Sequence, residues 1–220
     1  MVQVKICGIC EPDGAAAAIA AGADLIGFHF CSSRRRVTPE EAKAIVDGLA
    51  ARPTVVGVFI DQDPEEVRQI ANFVGLDLLQ LHGSERPGFD AGRPVMKVLK
   101  VRDDELPDPA AWPDPIMLDS WSLDQRGGTG RTWNWERARE LFAVRHVFIA
   151  GGLEPANVGK VVSVFKPFGV DVSSGVESAV RVKDPKKVRA FVEAVRVASE
   201  RVMPAPTPRP SAAPYGKRGI

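Results

Sequence analysis

Cysteine is scarce in this chain of 220 residues, with only Cys7, Cys10 and Cys31. Three is too few, and odd in number, for a disulfide framework. A reduced, cytoplasmic protein is therefore the expectation. An excess charge of either sign is also missing: 29 basic against 28 acidic residues leave +1. That balance excludes a global field for nucleic acid or an anionic membrane, so any anionic ligand needs a local site. Long apolar runs are absent too. The longest, Ala15 to Ala23, is half a membrane span. The N-terminus, Met-Val-Gln-Val-Lys-Ile-Cys-Gly, lacks the basic-then-apolar form of a signal peptide.

Hydrophobic residues make up 45% and charged residues 26%, the balance of a globular domain with a sizeable core. Eight short apolar runs recur: Val2–Ile6, Asp24–Phe30, Thr54–Ile60, Asp77–Leu81, Val95–Leu99, Ile116–Leu118, His146–Ala150 and Gly169–Val172. Each is bounded by Gly, Pro or polar residues and reads as a buried strand. Most segments between them read as helices. Thr38-Pro39, Asp63-Pro64 and Asp184-Pro185 are cap-then-proline starts, and Pro155 opens another. Arg102–Trp112 reads as a weak or short helix. The first helix is expected at Glu11–Ala21 and the last from Asp184 to about Met203.

Eight strand–helix units at roughly 25 residues each suit a compact α/β fold, a (β/α)8 TIM barrel with few insertions. The domain is expected over residues 1–203. Residues 204–220 hold five prolines and no acid, which predicts an extended, flexible proline-rich C-terminal tail.

Alternation along the strands places Lys5, Cys7, Gln80, His82, Asp119, Asp171 and Ser173 inward. Most lie near strand C-terminal ends, the face where this fold keeps its active sites. A buried lysine needs a partner. Strands 1 and 8 are neighbours in a closed barrel, which makes Asp171 the candidate partner of Lys5.

Val4-Lys-Ile-Cys-Gly8, Arg35-Arg-Val-Thr-Pro-Glu-Glu-Ala42, Gly57-Val-Phe59, Leu79-Gln-Leu-His-Gly83, Leu118-Asp-Ser120, Gly127-Gly-Thr-Gly-Arg-Thr-Trp133, Ala150-Gly-Gly-Leu153 and Val170-Asp-Val-Ser-Ser-Gly-Val-Glu177 follow one another in the chain. In that order they resemble phosphoribosylanthranilate isomerase, from Val2 to about Val202. The resemblance implies an Amadori rearrangement of N-(5-phosphoribosyl)anthranilate to 1-(2-carboxyphenylamino)-1-deoxyribulose 5-phosphate, with no cofactor and no metal. It implies Asp119 as general acid, Cys7 as general base and Arg35 as the clamp on the anthranilate carboxylate. The partner is then a small molecule with phosphate and carboxylate groups, with no nucleic acid and no membrane, bound by a monomer or homodimer.

The loops after strands 7 and 8 commonly bind phosphate in this fold. They hold Gly151, Gly152, Ser173, Ser174 and Gly175, whose backbone N–H groups are the expected cradle. His82 and Asp171 line the same mouth as candidate substrate contacts. Gly127–Trp133 reads as a hinged lid. It fits neither a P-loop nor the dinucleotide fingerprint.

Cys7-Gly-Ile-Cys10, with His29 and Cys31, also has the outline of a redox or zinc cluster. Ile6 stands where a redox motif expects an aromatic residue, and the family usually has Thr at the position of Cys10. Alternation puts His29 inward beside Cys7. An imidazolium there would lower the thiol pKa, and a neutral imidazole would accept its proton. The expectation is a base titrating below the free-thiol value and a Cys7 that oxidants trap as a disulfide. Two rivals differ in class. The histidine-pathway aminoaldose isomerase uses an Asp where Cys7 stands, and a non-catalytic barrel scaffold would have lost its catalytic pair.

Overall fold

The computed structural model describes residues 1–101, 106–120 and 138–202. Eight parallel strands close into a barrel in chain order. They are β1 (Gln3–Cys7), β2 (Leu25–His29), β3 (Thr54–Phe59), β4 (Leu78–Leu81), β5 (Val95–Val101), β6 (Ile116–Ser120), β7 (Val147–Ala150) and β8 (Gly169–Val172). β1 pairs with β2 on one side and β8 on the other, which closes the ring.

The alternation read from the sequence is the alternation observed. Leu25, Val56, Leu78, Met96, Val98, Met117, Phe148 and Ala150 form one cluster inside the ring. Val4, Ile6, Ile26, Phe28, Leu79, Leu81, Ile116, Leu118, Ile149, Val170 and Val172 belong to the larger core outside it. That outer layer is completed by α1 (Pro12–Ala20), α2 (Pro39–Asp47), α3 (Pro64–Val74), α4 (Arg139–Val144), α5 (Pro155–Phe165) and α6 (Pro185–Val202).

Helix starts follow their caps. Thr38 Oγ1 accepts from Glu41 N–H, and the Glu41 carboxylate accepts from Thr38 N–H, a reciprocal capping box. Asp63 accepts from Glu65 N–H and Asp184 from Lys186 N–H. With Pro at the first position, no N–H is wasted. α3 stops at Gly75 with φ 79°, a left-handed cap that glycine adopts without strain.

Two connections depart from the strand–helix expectation. Residues 82–94 join β4 to β5 without a helix. Pro87, Gly88, Gly92 and Pro94 crowd that stretch and deny it a continuous hydrogen-bonded turn. The helix expected over Arg102–Trp112 is also not found in its described part, where residues 106–115 carry only a turn. Pro107, Pro109, Pro113 and Pro115 account for that. The expected lid at Gly127–Trp133 and the tail at 204–220 lie outside the described residues. After β8 comes an unexpected insertion: a 3-10 turn (Ser174–Val176), then a small antiparallel hairpin of β9 (Glu177–Ala179) and β10 (Val182–Lys183). Among the described residues, no helix is long and apolar enough to cross a membrane.

Candidate active site at the barrel mouth

Cys7 ends β1 with its side chain inward and almost wholly buried. Cys31 and Val58 pack with it in a small apolar cluster. Gly27, its register partner on β2, leaves the room it needs. A Cβ at Gly27 would stand 3.0 Å from Cys7 Sγ and 3.1 Å from Lys5 Nζ. Lys5 lies one pleat deeper on β1, fully buried, and its Nζ donates to Asp171 Oδ1 at 2.7 Å. The partnership expected between strands 1 and 8 is therefore present. Burial opposes the Lys5 charge, but Asp171 and then Cys7 outweigh it and raise its pKa.

Burial also pushes the Cys7 thiol above its ordinary range. The Lys5 charge opposes that rise, the Asp171 charge adds to it, and Lys183 opposes it weakly. The expectation of a base titrating below the free-thiol value is thus overturned: an enclosed sulfur loses more hydration than nearby cations return. His29 Nε2 lies 3.3 Å from Cys7 Sγ, and His29 Nδ1 lies 3.0 Å from Ser33 Oγ. Burial, then the charges of Lys5 and Arg35, lower the His29 pKa to about 3. It is a neutral imidazole, so the imidazolium reading fails. Cys10 turns toward the main-chain carbonyls of Arg35 at 3.4 Å and Gly8 at 3.6 Å.

Asp119 stands inward near the C-terminal end of β6, beside Lys100 on β5. Burial, then the Asp171 charge, raise its pKa to about 6 against the pull of Lys100 and Lys5. A carboxyl so placed still carries its proton in a useful fraction of molecules near neutral pH. His82 Nε2 approaches Asp119 Oδ2 at 3.5 Å. Burial and the Lys100 charge lower the His82 pKa to about 4, so this is a contact with a neutral ring and not an ion pair.

Arg35 makes a fork on Glu177: Nε donates to Oε1 at 2.7 Å and Nη2 to Oε2 at 2.6 Å. Lys183 Nζ also donates to Glu177 Oε1 at 3.0 Å, and Lys187 Nζ to the Glu177 carbonyl at 2.8 Å. Burial alone would raise the Glu177 pKa, but Arg35 and Lys183 outweigh it and lower it. Arg34 and Arg36 are exposed, as register predicts. Arg181, held at φ 77°, donates from Nη1 to the Arg36 carbonyl at 2.7 Å. The β9–β10 hairpin thereby braces the loop after β2. Glu177, Lys183 and Arg181 carry this work, and sequence reasoning assigned none of them a role. The only signal was two opposite charges six residues apart in an alternating stretch.

Gly151 (φ 88°) and Gly152 (φ 66°) open the loop after β7. A side chain at Gly175 would collide with the Leu153 carbonyl, so glycine lets the loops after β7 and β8 meet. Ser174 and Gly175 lie in the 3-10 turn there. Ser173 Oγ is buried with no hydrogen-bond partner among the described residues. An orphaned hydroxyl beside backbone N–H groups suits an anionic oxygen.

Residues 4–194 match the family model described as N-(5'-phosphoribosyl)anthranilate (PRA) isomerase. The N-(5'-phosphoribosyl)anthranilate isomerase of Pelobacter propionicus is 43% identical over 205 residues, 91% of this chain and 97% of that one. The crystal structure of phosphoribosyl anthranilate isomerase from Thermotoga maritima is similar, with a TM-score of 0.79 and 32% identity over 90% of this chain and 100% of that one. A phosphoribosyl anthranilate isomerase in complex with reduced 1-(o-carboxyphenylamino)-1-deoxyribulose 5-phosphate matches with a TM-score of 0.75. It is 31% identical over 90% of this chain and 100% of that chain.

Proposed function

Since the chain belongs to the N-(5'-phosphoribosyl)anthranilate isomerase family, an isomerase of tryptophan biosynthesis, we propose that Asp119 is its general acid and Cys7 its general base. The reaction is the Amadori rearrangement of an aminoaldose to an aminoketose. Asp119 gives its proton to the furanose ring oxygen. The ring C–O bond breaks, the ring oxygen becomes a hydroxyl, and the nitrogen lone pair forms the C1=N iminium. The Cys7 thiolate then takes the proton from sugar C2. The C2–H electrons form C1=C2, the iminium electrons return to nitrogen, and the enol tautomerises to the ketone. The observation that carries this reading is the Asp119 carboxyl, inward at the mouth with its pKa raised to about 6. It shares that mouth with an inward thiol three strands round the ring.

The rest of the mouth supplies the seats. Arg35 spends Nε and Nη2 on Glu177, so its Nη1 edge takes the anthranilate carboxylate. Backbone N–H groups of Gly151, Gly152, Ser174 and Gly175, with the Ser173 hydroxyl, hold the phosphate. His82 serves as a neutral contact for the substrate. Asp171 holds Lys5 in place and keeps the Asp119 proton on.

The test is the loss of phosphoribosylanthranilate fluorescence in purified protein. Cys7→Ala and Asp119→Asn should each lower kcat by about 10²–10⁴-fold with smaller changes in KM. Near-normal turnover in either variant would remove that residue from the mechanism.

A further inference from the structure

The Ser33 hydroxyl accepts from the Arg35 backbone N–H at 3.1 Å and lies 3.0 Å from His29 Nδ1. It has one hydrogen to place. Among the described residues, His29 Nδ1 is the acceptor in reach. If Nδ1 carried the proton instead, Ser33 would receive two donors and its own hydrogen would be left to solvent at a half-buried site. The arrangement that satisfies that hydrogen within the protein carries the imidazole proton on Nε2, aimed at Cys7 Sγ 3.3 Å away. We infer that His29 is a positioning residue, a neutral donor whose Nε2–H holds the Cys7 thiolate and fixes its direction in the mouth.

The inference rests on the reading of Cys7 as base and says what stabilises its working form. Two donors then converge on the sulfur, the Lys5 ammonium from β1 and the His29 ring from β2. The other charged and titratable groups around the pair are Asp171 from β8, Lys183 from the hairpin, Arg35 and Cys31 from the loop after β2, and His82 after β4. Burial first, and then every cation in that set, disfavours a protonated His29, so the ring works as a neutral donor and not as the base. A neutral donor keeps its role at every pH where the thiol titrates, while an imidazolium would lose its charge on deprotonation.

Thiolate absorbance, followed against pH and corrected with Cys7→Ala for the other two cysteines, reads the Cys7 titration without catalysis. His29→Val should raise the midpoint by about one pH unit or more, the worth of a hydrogen bond to a charged acceptor. His29→Gln, which keeps an N–H donor, should restore most of the shift. Ser33→Ala releases the tautomer and should move the midpoint in the same direction by less. The basic limb of kcat/KM should follow the midpoint in each variant, with KM little changed. An unmoved midpoint in both His29→Val and Ser33→Ala overturns the inference. So does a fall in the His29→Val midpoint, the sign of a ring that accepts the thiol proton, or a rise that Gln leaves uncorrected, which would show that no N–H donor is involved. If Cys7→Ala kept full turnover while the midpoint shifted as expected, the base assignment would fall and the donor would stand.

Discussion

Replacing Asp171 with Asn strips the fully buried Lys5 ammonium of its counter-charge while keeping shape and volume. Lys5 is sealed from solvent and the Asp171 side chain is only 11% exposed, so water cannot stand in for the lost carboxylate. Removing one partner of such a pair costs about 3–5 kcal/mol, because the other charge stays buried and unpaired. The Cys7 sulfur also touches Lys5 and can take up part of its charge, which favours the lower end, about 3 kcal/mol. For a chain of this size that is a fall in Tm of about 6–12 °C. The sign with pH follows from Lys5. Its folded pKa is raised above 10.5, so the pair's contribution is complete below that value and is lost only as pH rises through the folded one. The whole penalty should therefore appear at pH 7. Denaturant unfolding of wild type, Asp171→Asn and the double variant Lys5→Met/Asp171→Leu measures it. The double variant, with both charges gone, should regain most of the stability. A single variant within about 1 kcal/mol of wild type would refute the reasoning, and so would a double variant no more stable than the single.

Arg35→Ala should weaken substrate binding by about 2–4 kcal/mol, the cost of a charge-assisted pair left incomplete. Arg36→Ala should do little, and inhibitor titration with a carboxylate product analogue separates the two. The pH profile of kcat/KM should rise through about pH 6, where Asp119 titrates, and fall only above the ordinary thiol range, where Cys7 does. An acid limb near the ordinary carboxylate value would show that Asp119 is not held up by its surroundings.

The eight strands, the inward faces, the Lys5–Asp171 pair and the mouth position of Cys7 and Asp119 were all legible in the sequence. They follow from period-two alternation and ring closure, which are local rules applied to one known topology. The two helix-free connections were less legible because apolar spacing hints at helix where the prolines forbid it. The ionisation of Cys7 was misjudged, and that of His29 left open, for another reason. Sequence gives the neighbours of a group, but solvent access decides how much charge those neighbours can support. Glu177 stayed hidden because its partners, Arg35 and Lys183, lie 142 residues upstream and six downstream.

The hairpin after β8 makes the mouth a gauge. It leaves β8 directly after the Ser173–Gly175 loop and is bolted through Glu177 to Arg35. On the proposed reading, the phosphate seat and the carboxylate seat are two jaws tied to one hairpin, with β1 and its thiol between them in the ring. The span between the jaws is then set by the short chain from Ser173 to Glu177 and by the Glu177–Arg35 ion pair. The proposed substrate would then be measured end to end as it binds, and one with either anion out of place would not seat both while presenting its C2 proton to the sulfur.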